Sequence, residues 1–132
     1  MDRGVPIEMF DVIYIGSVPV KRGAGDDIAR EAVNRIVSLK SKIRIITLLV
    51  TTVGVYIIDK KTGDTLKEVN ILDITFSAVN TENEKLVSFF ESNRVLRLIT
   101  CHSFKLNKNA FELCVAINDS FKILKGEVNI SM

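Results

Sequence analysis

The only histidine of the chain, His102, directly follows one of its two cysteines, Cys101, in the segment LITCHSFKL. A cysteine and a histidine could supply a nucleophile with its general base, or part of a zinc site. Both chemistries need the two side chains to converge, whereas consecutive side chains of a β-strand point to opposite faces. The segment is rich in strand-forming residues, and the chain holds no second histidine to complete either site. We therefore expect a buried thiol and a structural histidine.

Two other features could carry chemistry. The glycine-rich stretch RGAGDD has neither the GxGxxG spacing nor a Lys-Ser/Thr pair after its last glycine, so it predicts a flexible connection rather than a phosphate-binding loop. The carboxylates Asp26 and Asp27, like Glu82 and Glu84, lie where helix caps and turns are expected, which favours solvated charges over a general acid and base. The sequence predicts no enzymatic activity, no metal site and no cofactor.

Basic residues gather around the first predicted helix and its exit. Such a group could bind an anionic lipid headgroup, since each basic residue near a charged bilayer contributes about 1 kcal/mol. It is equally compatible with an ordinary solvated surface, so both interpretations stay open here. The residues are Lys21, Arg22, Arg30, Arg35, Lys40, Lys42 and Arg44.

Length and composition indicate one globular domain. The chain has 132 residues, of which 47% are apolar and 26% charged, enough to form a core of its own. Its net charge of +2 argues against a nucleic-acid partner. The first twenty residues lack the apolar segment of a signal peptide, and no apolar run is long enough to cross a membrane, so we expect a protein that is neither secreted nor membrane-spanning. Because two cysteines are too few for a disulfide scaffold, we expect a cytoplasmic protein.

Hydrophobic periodicity divides the chain into the order strand, helix, strands, helix. Residues 10–20 alternate and are rich in β-branched and aromatic side chains, which predicts a strand. From Asp26 the apolar residues change to helical spacing, and this helix should end near Lys40. Helical spacing returns between Asn109, a candidate N-cap, and Gly126. Between the helices, polar turns separate predicted strands at 43–50, 53–59, 65–71, 72–79, 85–92 and 95–106.

These elements predict an α+β fold. Strands joined by short turns pair antiparallel, and seven of them in one small domain require a strongly bent sheet or a barrel. The last helix carries a single apolar stripe, so we expect it to cap an open end of that barrel. The predicted fold is an antiparallel seven-stranded bent-sheet barrel, with one helix after the first strand and a capping C-terminal helix. The stripe consists of Ala110, Cys114, Ile117, Phe121 and Leu124.

Several segments, taken in order, are similar to one known family. They are FDVIYIGSVPV, GAGDDIAREAVNRI, TVGVYIIDKKTGDTL, NILDITFSAV, TCHSF and AINDSF. Together they resemble the phosphotyrosine-binding (PTB) domain, also called the phosphotyrosine interaction domain, whose fold is a pleckstrin-homology-like barrel. The resemblance implies a domain at residues 10–126, with an N-terminal extension at 1–9 and a C-terminal tail at 127–132.

The resemblance also implies a function as an adaptor. Members of the family bind cytoplasmic tails with an Asn-Pro-x-Tyr type turn, and the peptide adds as a strand to the edge of the fifth strand, against the last helix. Ile117 and Phe121 lie one turn apart on one helix face, and packing on the barrel is an alternative role for both. The implied peptide-binding residues are Ile74, Thr75, Phe76, Ser77 and Ala78, through their backbone, with Ile117, Phe121 and Leu124.

One position departs from the family pattern. Members that bind phosphotyrosine carry an arginine two residues before the Cys-His pair, where this chain has Ile99. Arg94 and Arg97 are near in sequence, and Arg97 has the same strand parity as Ile99, so an arginine could still contact a phosphate. The simpler interpretation is that phosphorylation is not required. We therefore expect unphosphorylated Asn-Pro-x-Tyr/Phe-like tails as ligands.

Two other functions stay open. The same superfold elsewhere binds phosphoinositide headgroups, and Lys40, Lys42 and Arg44 are the residues expected to do so here. Alternatively, the domain is structural, with its groove filled by its own chain or by a dimer partner, although we expect a monomer. The expected partners are tails of membrane receptors or signalling proteins. Binding them would recruit the domain to the inner face of the plasma membrane.

Overall fold

The structure is a computed structural model that describes residues 3–40, 42–107 and 109–126, so the predicted tail at 127–132 lies outside the described residues. Every strand pairing described is antiparallel. The predicted α+β fold is confirmed. In chain order the described elements are β1 (Pro6–Val20), α1 (Asp26–Ser38), β2 (Arg44–Thr51), β3 (Gly54–Asp59), β4 (Thr65–Asn70), a 3₁₀ turn (Ile71–Asp73), β5 (Ile74–Val79), β6 (Leu86–Asn93), β7 (Leu98–Leu106) and α2 (Phe111–Leu124).

The strands form one sheet in the order β4-β3-β2-β1-β7-β6-β5. β1 has 15 residues and belongs to both halves of the sheet, since its first part pairs with β2 and its second part with β7. A long strand shared in this way lets the sheet bend into a barrel. The barrel is open between its two edge strands, β4 and β5.

Gly16 allows α1 to pack closely on the middle of β1. The β1–β7 register shifts between Tyr14 and Gly16, and Gly16 has φ 144, a conformation that side chains rarely adopt. A Cβ at Gly16 would lie 2.8 Å from Cγ2 of Ile36 in α1, which is closer than van der Waals contact. Glycine is therefore required both by the backbone and by the helix above it.

Two apolar clusters hold the helices in place. Inside the barrel, Phe89 and Phe104 are fully buried, and α2 closes the open end with Leu113 and Ile117. The hydroxyl of Ser120 donates a hydrogen bond of 2.6 Å to the carbonyl oxygen of Thr51, which joins α2 to the end of β2. On the other face of the sheet, α1 covers a smaller cluster that consists of Val18, Ala29, Ala32, Ile36, Phe90 and Cys101.

Cys101 and His102 lie on opposite faces of β7, as predicted. Cys101 is buried in the cluster under α1, and this burial raises the pKa of its thiol. His102 is buried on the barrel side, where its ring centroid is 5.2 Å from that of Phe89. The two side chains therefore cannot act on one another.

His102 is the centre of a network of hydrogen-bonded polar side chains that joins several strands of the barrel. Its Nδ1 lies 2.6 Å from Oγ of Ser17, which also hydrogen-bonds the hydroxyl of Tyr14. Its Nε2 lies 3.0 Å from Oε1 of Glu91, and Nζ of Lys67 lies 3.3 Å from the same oxygen. The hydrogen bond from His102, with a smaller contribution from Lys67, lowers the pKa of the Glu91 carboxyl. This polar network thus connects β1, β7, β6 and the edge strand β4.

Two strand boundaries differ from the sequence-based prediction by three residues or more. β1 begins at Pro6, so residues 6–9 belong to the sheet rather than to an extension before it. The strand predicted at 95–106 begins only at Leu98, because residues 94–97 form the turn between β6 and β7. In this turn the backbone N–H of Leu96 donates a 3.0 Å hydrogen bond to Oδ1 of Asn93. An asparagine that bonds its own backbone in this way favours a turn over a strand.

Replacing Glu91 with glutamine tests how much this polar network contributes to stability. Hydrogen bonds to charged groups contribute about 1.5–3 kcal/mol, so we expect Glu91→Gln to lower the free energy of unfolding at neutral pH by about 2 kcal/mol. A carboxyl whose pKa is lowered by folding stabilises the fold above its unfolded pKa, about 4.3 for glutamate, and loses that contribution as the pH falls through its folded pKa. In urea titrations, wild-type stability should fall toward that of the variant below about pH 4.3.

Glu84→Gln, in an exposed turn, is the matched control and should change the free energy of unfolding by less than about 0.5 kcal/mol. The difference in free energy of unfolding between wild type and Glu91→Gln should shrink on acidification. If it stayed constant, the Glu91 carboxylate would not be the source of the pH-dependent stability.

Candidate functional site

The site lies where α2 runs beside the edge strand β5. β5 pairs with β6 on one side and is the last strand of the sheet, so its other side is an edge. Side chains of α2 lie beside this edge, and an open groove of about 230 Å³ separates the helix from the strand. Its lining residues are Ile71, Ile74, Thr75, Phe76, Ser77, Ile117, Asn118 and Phe121.

The helix side of the groove has a buried floor and a half-buried wall. Ile117 is only 5% exposed and belongs to the barrel core. Phe121, one turn later, packs against the same core but keeps part of its ring exposed. Nζ of Lys125 lies 4.6 Å from the Phe121 ring centroid, a cation–π distance. An apolar side chain entering the groove would therefore meet the Phe121 ring before it reached Ile117.

The strand side of the groove is fixed at both ends. Ile74 pairs with Glu91 and Phe76 with Phe90, so Thr75 is the extra residue of a bulge at the start of β5. The Thr75 hydroxyl donates a 2.6 Å hydrogen bond to the carbonyl oxygen of Gly23, which attaches the β1–α1 loop to the edge.

Further along β5, the Ser77 side chain lies close to the Cys114 thiol of α2, whose pKa is raised by burial. Contacts with the loop at Thr75 and with the helix at Ser77 hold the edge in one position.

Most of the residues implied by the resemblance meet at this groove. The structure places Ile74–Ser77 along one side, with Ile117 and Phe121 on the other. Ala78 lies further along β5, and Leu124 lies in the last turn of α2, and both are outside the lining described. Sequence reasoning missed Ile71 and Asn118. Only their positions, next to β5 and one residue after Ile117, could have indicated them.

The residues proposed to contact a phosphate do not converge. Ile99 packs against the cluster under α1, and its Cδ1 lies near Gly23 and Thr75 at one end of the groove. Arg94 and Arg97 are exposed in the β6–β7 turn. Arg97 has φ 54 and lies outside β7, so the expectation that it shares strand parity with Ile99 is wrong. An apolar side chain therefore occupies position 99, at which the resemblance implies an arginine in members that bind phosphotyrosine.

The predicted basic group does not form one patch: Arg30 and Arg35 lie within α1, and the other five residues form two sets at its opposite ends. The helix has 13 residues, so its ends are about 20 Å apart at 1.5 Å per residue. Lys21 and Arg22 precede it, and a guanidinium nitrogen of Arg22 lies 3.3 Å from Oδ2 of Asp27. The second set follows the helix and consists of Lys40, Lys42 and Arg44. Of these, Arg44 lines a depression together with Lys60 and Lys61.

Within the described part of the chain, no group of three or more His, Cys, Asp or Glu side chains could hold a metal ion. Among the same residues, no helix is long and apolar enough to cross a membrane.

Comparisons with known proteins agree with this geometry. A family model for the phosphotyrosine interaction domain (PTB/PID) matches residues 10–128. Low density lipoprotein receptor adapter protein 1 of Mus musculus is 24% identical over 121 residues, which cover 87% of this chain and 39% of that protein. Numb-like protein of Homo sapiens is 28% identical over 103 residues, which cover 78% of this chain and 17% of that protein. The chain thus spans well under half the length of these relatives.

A solved structure has the same fold. The C-terminal phosphotyrosine interaction domain of mouse APBB2, determined in solution, superposes with a TM-score of 0.77 over 91% of this chain and 90% of that chain, at 22% sequence identity.

Proposed function

The chain belongs to the phosphotyrosine interaction domain (PTB/PID) family, and we propose that it binds unphosphorylated Asn-Pro-x-Tyr/Phe-type peptides from cytoplasmic receptor tails along β5. Domains of this family are non-enzymatic protein-interaction modules, which confirms the prediction that the chain is not an enzyme. The observation that carries the proposal is the open edge of β5 beside the half-buried ring of Phe121.

An extended peptide that pairs with this edge gains main-chain hydrogen bonds whatever its sequence. Specificity must come from side chains that reach the groove, and Phe121 is the large apolar group exposed there. Aromatic residues in such positions commonly dominate binding energy. The relative from Mus musculus is named as an adapter of the low density lipoprotein receptor, which supports a membrane receptor tail as the source of the peptide.

The surroundings of Thr75 support binding without phosphorylation. A phosphate dianion needs charge-assisted donors, best supplied by arginine. Ile99 offers none, and the Thr75 hydroxyl already donates to Gly23. The guanidinium of Arg22 is paired with Asp27. At this end of the groove a phosphate would therefore find no donor at Ile99 or Thr75, and would have to draw the exposed Arg22 away from Asp27.

Fluorescence anisotropy with two labelled peptides tests the proposal, one with an Asn-Pro-x-Tyr core and one with its phosphotyrosine form. We expect the unphosphorylated peptide to bind at least as tightly as the phosphopeptide. Phe121→Ala should weaken binding about tenfold or more, because it removes the exposed aromatic wall. Met9→Ala, an exposed apolar residue outside the groove lining, should leave binding unchanged.

Thermal unfolding of Phe121→Ala checks that the loss of affinity is not a loss of folding. Affinity for the phosphopeptide alone, or for neither peptide with a folded wild type, would overturn the proposal.

Ile99→Arg tests where a phosphate would lie. If Ile99 occupies the position of the family's phosphate-binding arginine, the variant should shift the ratio of the two affinities toward the phosphopeptide by about tenfold, the effect of one charge-assisted hydrogen bond. Ile99→Leu is the matched control and should keep the wild-type ratio. An unchanged ratio in Ile99→Arg would show that the phosphate lies elsewhere.

A second candidate function, binding to an anionic membrane surface, is favoured by one observation. Ile43 and Ile45 are 61% and 63% exposed on either side of Arg44. They line a depression of about 470 Å³ with three basic residues, Arg44, Lys60 and Lys61, and one acidic residue, Asp59. Nζ of Lys60 is also ion-paired with Oδ2 of Asp11 at 3.1 Å. Exposed aliphatic side chains within a basic surface suit the boundary between lipid headgroups and acyl chains.

Vesicle sedimentation separates this candidate from peptide binding. With vesicles that contain a phosphoinositide, a variant in which Lys40, Lys42 and Arg44 are all alanine should lose most of its binding, since each basic residue contributes about 1 kcal/mol. The control is a variant with alanine at Lys21 and Arg22, at the other end of α1, which should keep its vesicle binding. If wild type binds no better to these vesicles than to neutral ones, the membrane candidate is excluded.

A further inference from the structure

The start of β5 is the end of the groove that the tyrosine of a bound peptide would reach. Every pairing described in the sheet is antiparallel, so a peptide added to β5 in the same way would have its C-terminal part beside Ile74 and Thr75. The tyrosine is the C-terminal residue of an Asn-Pro-x-Tyr core. A phosphate on this tyrosine would therefore arrive at the start of β5, where the nearby charges would act on it.

The backbone at Arg22 is held beside this end of the groove. The carbonyl oxygen of the next residue, Gly23, accepts the 2.6 Å hydrogen bond from the hydroxyl of Thr75, which lines the groove. A Cβ at Gly23 would lie 3.8 Å from Cδ1 of Ile99, the position at which the resemblance implies an arginine. Arginine is well suited to donate charge-assisted hydrogen bonds to a phosphate. The chain therefore carries an arginine in the segment that contacts Ile99, although not at position 99 itself.

The carboxylate of Asp27 neutralises this arginine. Its Oδ2 lies 3.3 Å from Nη2 of Arg22. Gly25 precedes α1 with φ 130, and a Cβ there would lie 2.8 Å from Oδ1 of Asp27, which is closer than van der Waals contact. The missing side chain of Gly25 thus leaves space for the carboxylate to fold back over the loop. Asp26, the other acidic residue of the first turn, forms no ion pair among the described residues.

Asp27 would act on a phosphate in two ways. The side chains of Arg22 and Asp27 are 67% and 59% exposed, and exposed ion pairs are weak, so a phosphate dianion could compete for the guanidinium. Asp27 belongs to the first turn of α1, however, so its carboxylate would stay near the guanidinium that the phosphate had drawn away. The dianion would then meet a like charge as well as a donor that is already paired.

We propose that Asp27 is a specificity-determining residue, which disfavours a phosphorylated tyrosine in the groove by neutralising Arg22 and by repelling the phosphate. This inference rests on the proposed function and deepens it, because it assigns the selectivity to a charge that is present rather than to the missing arginine at position 99. Phosphorylation of the tyrosine would then release the peptide from the domain. The ligand class is a tail whose tyrosine is unmodified.

Asp27→Asn tests the assignment with the same two labelled peptides, one unphosphorylated and one with phosphotyrosine. The measured quantity is the ratio of their dissociation constants, because partial unfolding of a variant weakens both peptides alike and leaves this ratio unchanged. Asp27→Asn should shift the ratio toward the phosphopeptide by about threefold or more, the effect of breaking an exposed ion pair. Combining it with Arg22→Ala should remove most of that shift. Added salt should also reduce the shift, since it screens exposed charges.

Asp26→Asn is the matched control. It removes the same charge from the same turn of α1, and with it a similar interaction with the helix dipole, but it leaves the Arg22–Asp27 pair intact. This variant should keep the wild-type ratio. An equal shift in both asparagine variants would be a general charge effect and would refute the assignment.

The remaining outcomes separate this inference from the proposed function. If the unphosphorylated peptide binds wild type but Asp27→Asn leaves the ratio unchanged, Asp27 does not set the selectivity, while the proposed function stands. A full shift that persists in the variant without Arg22 would also overturn the assignment. If neither peptide binds folded wild type, the proposed function fails and this inference fails with it.

Discussion

The open edge of β5 is the constraint on which the rest of the site depends. A sheet edge presents backbone groups that can pair with another chain, and native proteins usually cover or distort such edges. Here the edge is positioned rather than covered. Thr75 attaches one end to the β1–α1 loop, while Ser77 contacts Cys114 in α2. The helix is itself held by Ser120 and by the buried floor residue Ile117. Contacts at several points therefore join the edge to its wall and both to the barrel.

Much of the fold could be predicted because its signals are local. Alternation and helical spacing gave the order of strands and helices, and the apolar stripe of α2 indicated that it caps the barrel. The errors have two causes, a local turn signal that outweighs apolar content and a pairing with a distant strand. Residues 94–97 have apolar content typical of a strand, but the Asn93 side chain stabilises a turn. The pairing of residues 6–9 with β2 also depends on a distant strand.

The site was less predictable because it is made of contacts between distant elements. The resemblance implied the edge strand and Phe121, but the groove residues Ile71 and Asn118 became evident only when α2 was seen beside β5. His102 could be recognised as structural, whereas its partners Ser17 and Glu91 come from two other strands. The basic residues look like one group in the sequence, but the length of α1 separates them into two.

Amide hydrogen exchange with and without a saturating unphosphorylated Asn-Pro-x-Tyr peptide tests most directly whether β5 is the binding edge. Pairing with a peptide strand should slow exchange at alternate amides of Ile74–Val79, because only alternate residues point their N–H groups to the free side. Amides of the other edge strand, β4, should exchange as before. Saturating binding that protected β4 or the segment around Ile43–Ile45, and left β5 unchanged, would contradict the account.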